Sequence, residues 1–294
     1  VASAAPQPDE WTIEAVLRWA TEDFRARGLE TPRLDAEVLL AHALSSTRIQ
    51  LIVNAKSPLG PEELGRFREM VKRRRAREPT AYILGAREFY GRAFRVDRRV
   101  LVPRPDTEAL VEVALDRTRP LSMSMRALDL CTGSGCVALT LARERPTSSV
   151  VATDVSEDAL SVARDNAARL GAYNVAFRRG DLFDALDPAL RFDLVTGNAP
   201  YIRSGEIPTL APDVRDFEPR LALDGGDDGL AVVRKIVQSA PAHLRSAGVL
   251  AVEVGKGQAP AVAELFARTG FTEVELRRDY ARVERVVSGV LHKP

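Results

Sequence analysis

Residues 128–138 read LDLCTGSGCVA, an apolar run that breaks at Gly133-Ser134-Gly135 and resumes at once as a helix-compatible stretch. Glycines between a strand and a helix let the backbone turn sharply and let a ligand approach without meeting a β-carbon. The next strand-like run, SVVAT (residues 149–153), ends at Asp154, nineteen residues after Gly135. A carboxylate at that point can accept hydrogen bonds from both ribose hydroxyls, so the two features together predict a nucleoside site on an open α/β sheet. Residues 133–138 also satisfy the dinucleotide pattern G-x-G-x-x-G/A, so spacing alone leaves the nucleoside undecided.

Outward from this loop the chain alternates strand and helix. ALDL, SVVAT, VAFRR, FDLVT and GVLAVEV are each followed by a helical stretch or a loop, which implies a mostly parallel sheet covered on both faces. TEVELRR and VERVVSGV, a few residues apart near the carboxyl end, demand an antiparallel pair. Upstream, residues 11–77 read as three helices. Thr12 caps the first, which carries Ile13, Val16, Leu17, Ala20 and Phe24 and stops at Gly28. Pro32 opens the second, with Leu34, Val38, Ala41 and Leu44 as its inward face, and Pro61 the third, with Leu64, Phe67, Met70 and Val71. Residues 88–102 give short strand pieces, FYG, FRV and VLV, ahead of PRPDTEAL, a helix start capped by Asp106 or Thr107. The expected organisation is a helical domain over residues 1–85, a β-hairpin linker over 86–110 and the sheet domain over 111–294.

Composition narrows the class. Of 294 residues, 45% are hydrophobic and 28% charged, as in ordinary globular proteins, and no apolar run approaches the ~20 residues of a membrane span. VASAAPQPDE, residues 1–10, has neither a basic nor an apolar leader region, so no secretory signal is expected and the cytoplasm is the default location. Cys131 and Cys136 lack the partners of a metal site and are expected as buried free thiols. The net charge of +1 argues against an electrostatic grip on nucleic acid. KRRRAR, residues 72–77, belongs to a region with 13 Lys/Arg and 12 Asp/Glu over residues 1–85, and is expected as a solvated helix face or a contact for an acidic partner.

The run FDLVTGNAPYI, residues 192–202, ends a strand in Asn198-Ala199-Pro200-Tyr201 at the sheet edge where open α/β folds bind ligands. Alone it is equally an ordinary turn. Beside the glycine loop it offers a side-chain oxygen, a bare carbonyl and a ring. These residue types suit a planar nitrogen, whose delocalised lone pair becomes nucleophilic only when both N–H bonds are held by acceptors. Asn198 Oδ1 and the Ala199 carbonyl can take those two bonds, Tyr201 can stack on the flat group and Pro200 stiffens the loop.

Asp129 at the head of DLCTGSG makes the loop resemble the acidic-x-G-x-G-x-G loop of S-adenosylmethionine-dependent methyltransferases, its carboxylate attracting the cofactor's ammonium directly or through water. Cys131 stands where that loop has its first glycine, which requires a negative φ there. NAPY resembles the N-P-P-Y signature of enzymes that methylate exocyclic amines of bases or glutamine amides. With PRLDAE (32–37), REPTAYILGAREFYG (77–91), VLVPRPDTE (100–108), EPRLALDGGDDGL (218–230) and EVGKGQ (253–258), the chain resembles the release-factor glutamine methyltransferases, the PrmC/HemK family, over nearly its whole length. The resemblance implies a seven-stranded Rossmann-like sheet with its last strand antiparallel. It also implies N5-methylation of the glutamine in the Gly-Gly-Gln loop of peptide chain release factors, with S-adenosyl-L-homocysteine as second product. It places the cofactor at Asp129, Cys131, Thr132, Gly133, Ser134, Gly135, Asp154, Asp181 (accepting from the adenine amine), Leu182 and Asn198, and the substrate at Asn198, Ala199, Pro200 and Tyr201. Ala199 departs from the family's first proline, which keeps the carbonyl and loses rigidity. Arg104 and Glu108 either belong to a plain helix start or line the mouth of the site, while Glu218, Arg220 and Asp224 are expected to order a loop over it. The rivals are an adenine-N6 or ribosomal-protein glutamine methyltransferase, a noncatalytic release-factor binder and an NAD-dependent oxidoreductase. No nucleic-acid substrate and no membrane partner are expected.

Overall fold

Helix starts in the first unit follow their capping chemistry. In the computed structural model, which describes residues 11–121 and 124–293, α1 (Ile13–Ala26) begins where Thr12 Oγ1 accepts from the Ala15 N–H at 3.3 Å. Proline opens α2 (Pro32–Ala43). A short helix missed by periodicity, α3 (Arg48–Val53), is set by a capping box in which Gln50 Oε1 accepts from the Thr47 N–H and Thr47 Oγ1 from the Gln50 N–H. α4 (Pro61–Arg75) starts where Glu63 accepts from the Gly60 N–H at 2.8 Å, and α5 (Thr80–Leu84) closes this unit, Val1–Leu84. Residues 1–10, read above for a leader, lie outside the described residues.

Two expectations about these helices are corrected. Of the expected face α2 buries Ala41, whereas Leu34 is 43% exposed and Val38 and Leu44 are half-buried; Ala36, Leu39, Leu40 and Ala43 are buried in their place. The helix is apolar on nearly every side, and arginines hold Asp35 and Glu37 in buried positions: Arg74 Nε of α4 donates to Asp35 at 2.8 Å, while Glu37 accepts from Arg33 of its own helix and from Arg48 of α3. KRRRAR, in turn, is no solvated face. Arg73 forks onto Glu78, Arg74 is buried against Asp35, Arg75 forks onto Asp23 and Arg77 donates to the Gly28 carbonyl. Only Lys72 lacks such a bond among the described residues. Losing one partner of a buried pair of this kind costs about 3–5 kcal/mol, so the run is part of what holds the helices together.

The second unit, Gly85–Pro294, opens with a hairpin, β1 (Ala86–Phe89) and β2 (Arg92–Arg95). Tyr90 and Gly91 both take positive φ, the geometry of a turn whose twist suits a hairpin. Phe89 and Phe94 meet edge to face and are buried in the core of this unit. VLV, residues 100–102, is not a strand; Val100 and Leu101 instead wall a cavity described below. After α6 (Glu108–Arg117) the chain alternates through β3 (Arg126–Leu130), α7 (Cys136–Glu144), β4 (Ser149–Asp154), α8 (Glu157–Leu170), β5 (Val175–Arg179) and β6 (Phe192–Gly197). The short α9 (Pro212–Arg215) precedes α10 (Ala231–His243), β7 (Leu244–Glu253), α11 (Ala259–Arg268), β8 (Phe271–Arg278) and β9 (Glu284–Leu291).

The seven strands order as β5-β4-β3-β6-β7-β9-β8, and β9 alone runs against the rest. Alternating side chains serve opposite faces: Ala127, Leu194, Val249 and Ala251 face the layer of α6 and α7, and Leu128, Leu130, Leu250 and Val252 face that of α10 and α11. Each such buried Leu or Val contributes about 1.5–3 kcal/mol. The strand order reverses between β3 and β6, whose register pairs Leu130 with Gly197. Ligands bind at that reversal in open α/β sheets. The glycine loop leaving β3 and the NAPY loop leaving β6 therefore start on neighbouring strands.

Candidate active site

The glycine loop is built by returns to its neighbours. Thr132 N donates to the Thr153 carbonyl of β4 at 3.0 Å, Gly133 N to Asp154 Oδ2 at 2.9 Å and Gly135 N to the Thr132 carbonyl at 2.8 Å. The first return forces Cys131 to φ +55°, where a negative φ was expected; a strained residue of this kind costs about 1–3 kcal/mol and persists only when its surroundings over-determine it. Gly135, at φ +81°, opens α7, and a β-carbon there would crowd Leu139 and Ala163 at 3.0–3.2 Å. Buried Asn166 fastens the loop from behind, donating to the Ser134 carbonyl at 2.9 Å and exchanging hydrogen bonds with the Arg95 backbone of the hairpin. Cys131 and Cys136 are half-buried rather than buried and line the cavity; burial pushes the Cys136 thiol up to about 12 and Cys131 higher still, so both stay unreactive.

Asp129, 1% exposed, is committed to the loop before any ligand. Its Oδ2 accepts from the Thr132 hydroxyl at 2.6 Å and its Oδ1 from the Thr196 hydroxyl of β6 at 2.8 Å. Burial raises its pKa to about 6 against the pull of these two donors. The carboxylate thus ties the ends of β3 and β6 together. Asp154 ends β4 with Oδ1 accepting from the Ser156 N–H at 2.9 Å, so both oxygens are oriented, and burial raises its pKa. Leu182, at φ +52°, presents its carbonyl to the Thr153 hydroxyl and its side chain to the cavity, while Asp181 is more than half exposed with Lys235 Nζ 3.7 Å away. One cavity is lined by Asp129, Gly133, Asp154, Leu182, Asn198 and Pro200.

The NAPY loop is held from three sides. Asn198 Nδ2 donates to Thr107 Oγ1 at 3.1 Å. Ile202 pairs with the 218–230 segment, its N–H donating to the Leu223 carbonyl and its carbonyl accepting from Gly225. Gln258 Nε2 donates to the Tyr201 carbonyl at 2.9 Å while its Oε1 accepts from the Gly255 N–H at 2.8 Å. Close packing explains the glycines of EPRLALDGGDDGL and EVGKGQ. A β-carbon on Gly225 would stand 2.7 Å from the Pro200 carbonyl oxygen, one on Gly229 2.5 Å from the Tyr201 carbonyl oxygen, and one on Gly255 3.1 Å from the Tyr201 ring. Asn198 and Pro200 reach the cavity wall; Ala199, 2% exposed, and the Tyr201 ring do not. The Tyr201 hydroxyl donates to Glu253 Oε1 at 3.4 Å, a long bond, and burial raises its pKa.

The flanking charged residues separate into two groups. Arg104 lines the cavity and pairs with buried Glu218 at 2.6 Å, whereas Glu108 turns away to accept from the Tyr90 N–H. Arg220 pairs with Asp224, which also accepts from Ser204 and the Gly226 N–H, so these residues order the segment packed on NAPY. Thr107 makes no capping bond, and Asp106 pairs with Arg285 instead. Thr196, Glu253 and Gln258 had no assigned role in the sequence reading, and Thr107 only that of a helix cap. Glu253 could have been found as a lone carboxylate in the apolar run GVLAVEV and as the head of EVGKGQ.

Residues 15–85 match the model for the PrmC N-terminal domain and residues 121–265 that for a methyltransferase domain. A release factor glutamine methyltransferase of Geobacter sulfurreducens is 45% identical over 283 residues, covering 96% of this chain and 98% of its own. One of Cereibacter sphaeroides is 44% identical over 276 residues, 94% and 97% of the two chains. Among solved structures, a methyltransferase from Pyrococcus furiosus superposes with a TM-score of 0.52 at 18% identity, over 70% of this chain and 91% of that one, a likeness of fold. Among the described residues no helix is long and apolar enough to cross a membrane.

Proposed function

Because the chain belongs to the release factor glutamine methyltransferase family, we propose that it methylates the side-chain nitrogen of the glutamine in the Gly-Gly-Gln loop of peptide chain release factors, in the cytoplasm. The observation that carries this reading is Asn198 on the wall of the cavity beside the glycine loop, with its Nδ2 engaged by Thr107. Its Oδ1 is thereby left to accept.

The residues suit S-adenosylmethionine. Nothing lies within 4 Å of a β-carbon built on Gly133, so that turn leaves room for a ligand against the backbone. Asp154, its oxygens oriented by two backbone N–H groups, would take the ribose hydroxyls. Val155 and Leu182 offer apolar walls for a flat base, with Asp181 at hand for its amine and the segment from Cys131 to Gly135 for the amino-acid portion. Held by these residues, the cofactor would supply a methyl activated on a sulfonium, with S-adenosylhomocysteine as the second product. Asn198 Oδ1 accepts an N–H of the glutamine amide and turns its lone pair outward, stabilising the positive charge that grows on nitrogen. The Ala199 carbonyl, expected to take the other N–H, lies off the cavity wall and could do so only with a shift of the loop. Tyr201, expected to stack on the flat amide, has its ring off the cavity wall with its hydroxyl on Glu253, so its part is to back the loop that presents Asn198, while Pro200 limits the loop's freedom. The methylated nitrogen is acidic enough to lose its proton without a strong base. The helical unit, residues 1–85, helps to hold the release factor, and the hairpin, 86–110, leads into the catalytic part, 111–294.

Asp154→Ala is expected to weaken cofactor binding by about tenfold or more, the loss of charge-assisted hydrogen bonds, as titration calorimetry would read. The function itself is tested by incubating the enzyme with labelled S-adenosylmethionine and purified release factor and mapping the methyl by mass spectrometry. Label on the Gly-Gly-Gln glutamine is the expected result. Label in nucleic acid with none in that peptide would overturn it.

A further inference from the structure

Behind Asn198 lies a buried chain of polar groups that the reaction as described does not use. Asn198 Nδ2 donates to Thr107 Oγ1 at 3.1 Å; the hydroxyl of Thr107, 1% exposed, lies by the Glu253 carboxylate and favours its charged form; and Glu253, 2% exposed, accepts from the Tyr201 hydroxyl. Glu253 Oε2 has no hydrogen-bond partner among the described residues. A carboxylate buried with one oxygen unmatched is a poor stabilising device, so its placement at the carboxyl end of β7, beside β6, asks for another reason.

We propose that Thr107 and Glu253 are positioning residues that fix which end of the Asn198 amide faces the substrate. This rests on the reading of Asn198 as the acceptor for the glutamine amide. A hydroxyl has one proton. While Thr107 gives it to the Glu253 carboxylate, Thr107 can only accept, and only Asn198 Nδ2 can meet it. An amide turned the other way would set lone pair against lone pair at Thr107 and present two N–H groups to the N–H groups of the substrate. Protonation of Glu253 removes the constraint, because the acid then donates to Thr107 and leaves the Thr107 hydroxyl able either to accept from Nδ2 or to donate to Oδ1. Facing Glu253 are Arg285 from β9, Asp106 from the turn before α6, Tyr201 from the NAPY loop and Cys136 from α7. Burial, outweighing Arg285, brings its pKa to about 7. The ionised form, which holds the amide, is lost as pH falls through that value.

The test compares Thr107→Val, Thr107→Ser and Glu253→Gln in methyl transfer to purified release factor at saturating cofactor, each with cofactor affinity measured separately. Thr107→Val is expected to lower kcat roughly 10- to 100-fold at unchanged cofactor affinity, and Thr107→Ser to restore it to within about threefold of the parent. The kcat of the parent should fall on the acid side of about pH 7, and Glu253→Gln should abolish that limb. The proposal is overturned if Thr107→Val keeps full kcat, if Ser rescues no better than Val, or if the limb survives Glu253→Gln. Asn198→Ala separates the two ideas: full activity in that variant overturns the acceptor reading and the proposal together, whereas a dead Asn198→Ala beside a fully active Thr107→Val overturns the proposal alone.

Discussion

Asn198→Ala should lower kcat for release-factor methylation by about 100- to 1000-fold while cofactor affinity stays within a few-fold of the parent. The size follows from what is removed. Asn198 Oδ1 is held in place before substrate arrives, because Nδ2 is fastened to Thr107 and the loop to Gln258 and Ile202. A preorganised acceptor of this kind acts most on the charge that appears as the nitrogen becomes tetrahedral, so its loss falls on kcat more than on KM. Cofactor affinity rests on Asp154 and the glycine loop, which leave from β4 and β3 and do not need the Asn198 side chain. Single-turnover rates with calorimetric binding would separate the two. An unchanged rate would remove Asn198 from the chemistry.

Gly229→Ala is expected to cost as much by a different route. The backbone there has φ +73°, and an added β-carbon would lie 2.5 Å from the Tyr201 carbonyl oxygen and 2.7 Å from Gln258 Nε2. Something must move, and the neighbour is the NAPY backbone itself. A displacement of about 1 Å at reacting groups costs roughly 100-fold in rate. Gly257→Ala is the matched control, since Gly257 has a similar φ of +82° and open space around it. It should cost about 1 kcal/mol of stability and leave activity within about threefold. Equal activity in the two variants would show that strain and not the NAPY contact sets the effect.

The sheet was legible because its strands are short apolar runs bounded by glycine, and because a tight connection between the last two leaves no parallel alternative. The positions of Asp154 and Asn198 were legible for a related reason: each is the first polar residue after such a run. Other features depend on partners far along the chain. Arg74 reaches Asp35 across 39 residues and Arg75 reaches Asp23 across 52, so KRRRAR reads as a free basic face until the helices are packed. α2 carries apolar residues on most sides, and its inward stripe goes with the Arg74–Asp35 pair. Cys131 takes a positive φ because the Thr132 N–H returns to β4, a constraint absent from the local sequence. Thr107 meets Asn198 across 91 residues, which is why Thr107 itself looked like a helix cap and nothing more.

The supports of the NAPY loop also set an order of assembly. The glycine loop and Asp154 are joined by contacts spanning some twenty residues, whereas the Tyr201 carbonyl waits for Gln258, 57 residues further on, and Tyr201 for Glu253, 52 further on. Closing the longer loops costs more chain entropy and comes later in folding. A chain emerging from its own synthesis can shape the nucleoside half of the cavity well before β7 and α11 arrive, but the half that grips the glutamine forms only when they dock. Methyl transfer is thereby reserved for the finished fold.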